Sequence, residues 1–216
     1  MLIKKNMQII FFLLSYTLIF YNLFIIGFFD GEIYSQYPNT IIKQNITDKS
    51  ENNNQQWLYY TDKKENFTTI YPKDWKIVKS ENKDNPLNGF ITIFQSPKEN
   101  LNDIFQDNIV ISIIKSDKNI TDNNNFEIQT VINKLGMKNK DFKLVNISTV
   151  DIDDNQTGKS LTYSFENSGI DFKTEQIVST VNNKIYIFSL LTEQETFEKY
   201  SQILNSMLKN LTIGNN

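Results

Sequence analysis

From Met7 to Phe29 the chain reads MQIIFFLLSYTLIFYNLFIIGFF, 23 residues without a charge. No other stretch limits the fold so strongly, because a segment apolar on every side must be surrounded by apolar matter. At about 1.5 Å per helical residue, the run is long enough to cross a hydrocarbon core of about 30 Å. Lys4 and Lys5 precede it, whereas Asp30 and Glu32 come after it. The positive-inside tendency then puts residues 1–6 in the cytoplasm and everything after Phe29 outside. A cleaved signal segment is the competing expectation. Signal h-regions usually span about 7–15 residues, shorter than this run, and the cleavage position on offer is Ser35 with Ile33 two before it. The expectation is therefore a single-pass anchor over 7–29 in the cell membrane with the C-terminal domain outside, or a secreted chain if the segment is cut.

Beyond the anchor the chain divides in two. Residues 30–56 form a polar linker, in which Thr47–Glu51 leads into Asn52, Asn53, Asn54, Gln55 and Gln56. With so little to bury, such a segment does not order itself. Residues 57–216 carry apolar periodicity and are long enough for one domain with its own core. That core has no covalent help, because the chain has no cysteine. Disulfides, thiolate metal sites, thiol catalysis and a lipidated cysteine are thereby excluded. Histidine is absent too, and all 22 basic residues are lysines, set against 25 acidic ones with no basic block. Nucleic-acid binders cluster Lys and Arg on one face, so no nucleic-acid partner is expected. The abundance of Lys and Asn, with no Arg or Ala, reads as a bias of composition rather than a functional signal.

Within 57–216 the alternation is mostly that of strands. Trp57–Tyr60 and Phe67–Tyr71, separated by a polar turn, predict a hairpin. Pro72 stops the ladder and Trp75–Val78 starts another extended piece. Gly89–Gln95 and Asn108–Lys115 read as strands. In the second, Ile109, Ile111 and Ile113 share one face while Val110 and Ile114 take the other, which predicts a central strand covered on both sides. Ile128, Val131, Ile132 and Leu135 predict a helix over Phe126–Leu135, with Gly136 as its C′ residue. Phe142–Ile152, Ser160–Glu166, Phe172–Val181 and Lys184–Leu191 come next as strands, the last two joined across Asn182-Asn183 in a tight turn. A capping box of Thr192 and Glu195 is expected to open a terminal helix whose apolar face is Phe197, Tyr200, Leu204, Met207, Leu208 and Leu211. The helices are too few for βαβ units. The expected fold is α+β, an antiparallel sheet with helices packed on it.

Two stretches carry a family resemblance. One is Phe67-Thr68-Thr69-Ile70-Tyr71-Pro72-Lys73-Asp74-Trp75, an aliphatic-Tyr-Pro-x-x-Trp element. The other runs from Ile93-Phe94-Gln95-Ser96-Pro97 through Glu99 and Asp103-Ile104-Phe105-Gln106-Asp107-Asn108 into the Ile109–Ile113 strand. In this order, with the late hairpin and the terminal helix, they resemble the PsbP-like family over roughly residues 57–213. That family includes the extrinsic lumenal subunit of photosystem II and anchored or secreted prokaryotic relatives, and it shares its fold with a Ran-binding nuclear transport factor. The resemblance implies a non-enzymatic α-β-α sandwich that assists or binds another protein. Without histidine, no His-based metal site of the family carries over, and neither does photosystem binding.

Other motifs have plainer readings. Tyr71, Pro72 and Trp75 are the candidate interaction surface, but a Pro and a Trp at such a place more often fix a corner, the indole filling the core edge. Asp151, Asp153, Asp154 and Asn155 begin like a calcium loop. Gln156 stands where that loop needs Gly and Thr162 where it needs Glu, so a hairpin turn ending at Gly158 accounts for them better. Six Asn-x-Ser/Thr sequons fall at Asn45, Asn66, Asn119, Asn146, Asn155 and Asn210. With 29 Asn and 32 Ser or Thr, chance placement alone gives roughly four. No Gly-x-Ser-x-Gly or phosphate loop is present. Glu193 and Glu195 are expected in a first helical turn, where the macrodipole explains them. No catalytic residue, cofactor or metal ligand is assigned. The expected function is a non-catalytic accessory domain docking on a membrane or cell-surface protein complex. A small-molecule or ion-binding module at the cell surface is the alternative, and an enzyme with two converging carboxylates a distant third.

Overall fold

The computed structural model describes residues 55–80, 90–100, 103, 105–115, 132–133, 135–137, 139–153, 156–181 and 184–214. The expected anchor and nearly all of the expected linker lie outside the described residues. So do Ile104, Asn182-Asn183 and the sequons at Asn45, Asn119 and Asn155.

Ten strands and a C-terminal helix are built from these residues. In chain order the strands are β1 (Trp57–Asp62), β2 (Phe67–Pro72), β3 (Lys76–Ser80), β4 (Phe90–Gln95), β5 (Asn108–Lys115), β6 (Lys140–Asp153), β7 (Gln156–Asn167), β8 (Ile170–Val181) and β9 (Lys184–Glu193). Helix α1 (Phe197–Lys209) and the short β10 (Thr212–Ile213) complete the order. Residues 132, 133 and 135–137 are also helical.

The strands make two sheets rather than the single one expected. The large sheet runs β3-β4-β5-β9-β8-β7-β6, and the small one β1-β2-β10. Every neighbouring pair is antiparallel. The split falls at the Pro72 corner. Pro72 pairs with Trp57, Lys73 donates its N–H to the Gln56 carbonyl at 2.9 Å, and Trp75 donates to the Pro72 carbonyl at 3.0 Å. Proline has no N–H to carry the ladder onward, so the chain turns and β3 joins the other sheet.

The core has two layers, one on each face of the large sheet. On one face, Ile109, Ile111 and Ile113 of β5 and Tyr186, Phe188 and Leu190 of β9 meet the small sheet and the apolar stripe of α1. On the other, Ile114, Ile185, Ile187, Leu161, Tyr163 and Phe165 pack with Ile132 and Leu135 of the helical stretch. β5 is central and covered on both sides, as its two apolar faces predicted. Each such side chain removed from water contributes about 1.5–3 kcal/mol, enough to hold a core without staples.

Three local expectations are corrected. The Thr192–Glu195 capping box does not form: Thr192 lies in β9 opposite Lys173 and donates its hydroxyl to the Lys173 carbonyl at 3.2 Å. Because β8 offers a ladder as far as Phe172, β9 continues to Glu193 and the helix starts later, with Thr196 at its N-cap and Glu198 in its first turn. Glu193 and Glu195 therefore precede the helix, and Leu211 lies beyond its end. Gly136 is not a C′ residue but helical. The stretch is closed by Asn139, whose backbone and side-chain N–H groups both donate to the Leu135 carbonyl at 3.0 Å. Gly158 does not end a turn either: it lies in β7 opposite Val150. A Cβ there would meet the Val178 carbonyl oxygen at 3.0 Å and Ile152 and Ile177 methyl carbons at 3.1 Å, which is why the strand carries glycine.

Candidate functional site

The two stretches that carry the family resemblance meet in space at the start of α1. Trp75, from the Tyr-Pro-x-x-Trp corner, is buried with its ring 5.5 Å from that of Tyr200 at an interplanar angle of 66°. Tyr200 in turn donates its hydroxyl to Glu99 at 3.3 Å, and the Lys199 ammonium pairs with the same Glu99 oxygen at 2.7 Å. Tyr71 and Pro72 are buried as well, and the Tyr71 ring lies 5.5 Å from Phe94. All three residues of the candidate interaction surface are thus buried at this corner rather than presented to a partner.

Asp107 is the centre of this junction. It is 2% exposed, and one of its oxygens accepts both the Thr196 hydroxyl at 2.9 Å and the Glu193 N–H at 3.1 Å. The Asp107 backbone carbonyl accepts the Ser96 N–H at 2.8 Å, and the Gln106 side chain donates to the Ser96 carbonyl at 2.7 Å. One carboxylate thereby bolts the β4–β5 connection to the β9–α1 connection. Burial pushes its carboxyl up to about 6, against the two hydrogen bonds that pull the other way. Glu193 is raised by burial first and then by the charges of Asp103, Glu195 and Glu99, whereas hydrogen bonding to Lys199 lowers Glu99. For Lys199, burial acts to lower the pKa, but bonding to Glu99 and Tyr200 outweighs it and the net shift is upward. Among the described residues no group of three or more His, Cys, Asp or Glu side chains is placed to hold a metal ion. The chemistry of the junction is that of a structural clasp.

A second polar centre fastens the small sheet to the large one. Asp62 accepts the N–H groups of Lys64 and Glu65 at 2.9 Å, closing the β1–β2 turn, and takes the Tyr60 hydroxyl at 3.2 Å. Glu65 pairs with Lys184 of β9 at 3.3 Å, both side chains being largely buried. Thr69 of β2 donates to the Met207 carbonyl of α1 at 2.7 Å.

Among the described residues, the exposed large apolar side chains are Met137 in the helical stretch and three on β6. This strand of 14 residues ends the large sheet and pairs only with β7, so its outer edge is open among the described residues. Leu144, Val145 and Ile147 are 42%, 55% and 41% exposed. The ladder to β7 skips between Leu144 and Asn146, leaving Val145 as a bulged residue. The sequence carried a signal of this, since apolar residues at 144, 145 and 147 break strict alternation. Of the described sequons, Asn146 is exposed on this edge, and Asn210 is exposed at the end of α1 with its amide donating to the Ser206 carbonyl at 2.9 Å. Asn66 is half-buried in the left-handed conformation, φ 57°, and its carbonyl accepts the Gly214 N–H at 2.8 Å. Sequence reasoning named Asp107 only within the second resemblance stretch and did not name Thr196 or Lys199, because nothing local in sequence joins residues so far apart.

Comparison with known proteins agrees with this geometry. The family model of PsbP matches residues 55–213. The solution structure of cyanobacterial PsbP (CyanoP) from Synechocystis sp. PCC 6803 is similar with a TM-score of 0.51 at 17% identity, covering 78% of this chain and 98% of that one. PA94 of Pseudomonas aeruginosa, a protein of unknown function, is similar with a TM-score of 0.50 at 15% identity, covering 74% and 99%. The Ran-binding protein Mog1p of Saccharomyces cerevisiae reaches a TM-score of 0.46 at 8% identity, covering 74% and 96%. No curated protein matches the chain. With the family matched over nearly the whole described domain, and both motif stretches meeting in one clasp, this chain belongs to the PsbP family.

Proposed function

We propose that the chain is a membrane-anchored, extracytoplasmic accessory protein whose PsbP domain docks on a membrane or cell-surface protein complex. The PsbP family is an accessory, non-enzymatic family, which supports the accessory part of this reading. One observation carries the placement: the uncharged run from Met7 to Phe29, with lysines before it and acids after it. The linker then gives the domain reach from the bilayer.

The absence of cysteine makes the test clean. Asn6→Cys and Glu195→Cys are introduced singly, and whole cells are treated with a membrane-impermeant maleimide. Label on the second variant in intact cells, and on the first only after lysis, is the expected result, with the chain kept in the membrane through alkaline carbonate. Label on the first variant but not the second in intact cells reverses the topology. A shortened chain in the medium replaces the anchor with a cleaved signal segment. Stoichiometric cross-linking to one membrane protein, surviving moderate salt, is expected for the docking part.

A further inference from the structure

We propose that a band of buried polar side chains on the large sheet is a binding site for a small neutral hydrogen-bonding guest, either water or a compact organic solute. The band crosses β5, β9, β8 and β7 on the face that Leu161, Ile185, Ile187 and Leu191 share. It consists of Ser112, Ser189, Thr174, Gln176 and Tyr163, each at most 4% exposed. Strand register makes them neighbours. Gln176 lies opposite Ser189 and Thr174 opposite Tyr163. Ser189 also faces Val110, from which Ser112 is the next residue on the same side of β5. Directly opposed side chains in an antiparallel pair start about 4.5–5.5 Å apart, so one small molecule reaches several of them. The other face of the same strands shows what packing alone calls for, with Ile109, Ile111, Ile113, Ile177, Phe188 and Leu190.

Bonds within the protein do not account for the band. Among the described residues, Oγ1 of Thr174 and Oε1 of Gln176 are fully buried with no hydrogen-bond partner. Burial alone acts on the Tyr163 hydroxyl and pushes it upward. Polar atoms left bare in an interior cost stability, which a valine or leucine of similar shape avoids. A guest that bonds to them removes the cost. Its chemistry follows from the lining. The Gln176 amide offers donors and an acceptor, and each hydroxyl does both, so the guest must donate and accept. None of the five side chains is charged, and neither is any residue directly opposite them. An ionic guest would be buried without a counter-charge, which leaves a neutral one. The proposal does not depend on where the domain resides or on what it docks.

Thr174→Val removes one hydroxyl at nearly constant volume. If that hydroxyl bonds to a guest, the thermal midpoint of the full chain in mild detergent falls by about 2–4 °C; if it is bare, the midpoint rises. Two counts on the native chain and on Thr174→Val with Gln176→Met identify the guest. Oxygen-17 relaxation dispersion counts water molecules held inside the protein. Mass spectrometry of the small molecules released on acid denaturation counts an organic solute. Loss of at least one internal water from the double variant identifies water. A stoichiometric neutral solute released by the native chain and missing from the variant identifies the organic guest. Protease resistance of the variants checks that the fold is intact. A raised or unchanged midpoint for Thr174→Val, a native chain that holds neither internal water nor solute, or a double variant equal to it in both counts would each overturn the proposal.

Discussion

Replacing Asp107 by asparagine should flatten part of the pH dependence of stability in a direction opposite to that of most carboxylates. The folded carboxyl is held up at about 6 from an ordinary 3.8, chiefly by burial. The folded state therefore binds this proton more tightly than the unfolded chain does, and protonation favours folding. Its contribution is full below pH 3.8, declines as pH rises, and is gone above about 6. A difference of about two pH units corresponds to on the order of 2–3 kcal/mol. Asparagine keeps the oxygen that accepts Thr196 and Glu193 but cannot ionise. The stability of the native chain minus that of Asp107→Asn should therefore fall by that amount between pH 4 and pH 7, other carboxylates cancelling in the difference. Urea unfolding of the full chain in mild detergent, followed by Trp57 and Trp75 fluorescence, measures it. A difference that rises with pH, or stays flat, refutes the reasoning. Asp107→Ala separates charge from bonding: it leaves the Glu193 N–H unsatisfied and should cost about 1–3 kcal/mol even at pH 4.

Three further outcomes are expected from the same unfolding measurement. Lys184→Met leaves Glu65 buried without its partner and should cost about 3 kcal/mol or more, whereas Glu65→Gln with Lys184→Met should cost clearly less. Gly158→Ala forces a methyl against the Val178 carbonyl and two isoleucine side chains and should destabilise by about 1–3 kcal/mol. Thr69→Val removes the bond from the small sheet to the Met207 carbonyl at nearly constant volume and should cost about 1–2 kcal/mol.

The sequence disclosed most where periodicity alone decides. β5 was legible to the residue because its two apolar faces each have a layer to meet, and the β8–β9 pair because its strands join across a short polar break. The apolar stripe of α1 was equally plain, but its start was not. Thr192 and Glu195 have the spacing of a cap, and only the partner strand reaching back to Phe172 shows that sheet wins there. The same holds for the division into two sheets. Nothing local says that Phe67 and Thr68 will take their second neighbour from Thr212 and Ile213. At the clasp, Trp75 was visible as a corner residue, but Asp107 and Thr196 gain meaning only from their contact, 89 positions apart in sequence. The exposure of Leu144, Val145 and Ile147 was hidden because apolar residues in a strand read as core until the strand order shows which strand is last.

The small sheet has a consequence for when this protein can take shape. Its middle strand, β2, is among the first parts of the domain to be made. Yet β2 is flanked by β10 and fastened through Thr69 to Met207, 138 positions later. Closing so large a loop adds only modestly to the entropic cost, which grows with the logarithm of length, but the contacts cannot exist until that part of the chain is present. Until α1 and β10 have been synthesised, one half of the core has no lid and β2 has an empty flank. The small sheet and its half of the core are therefore completed only once α1 and β10 have been made.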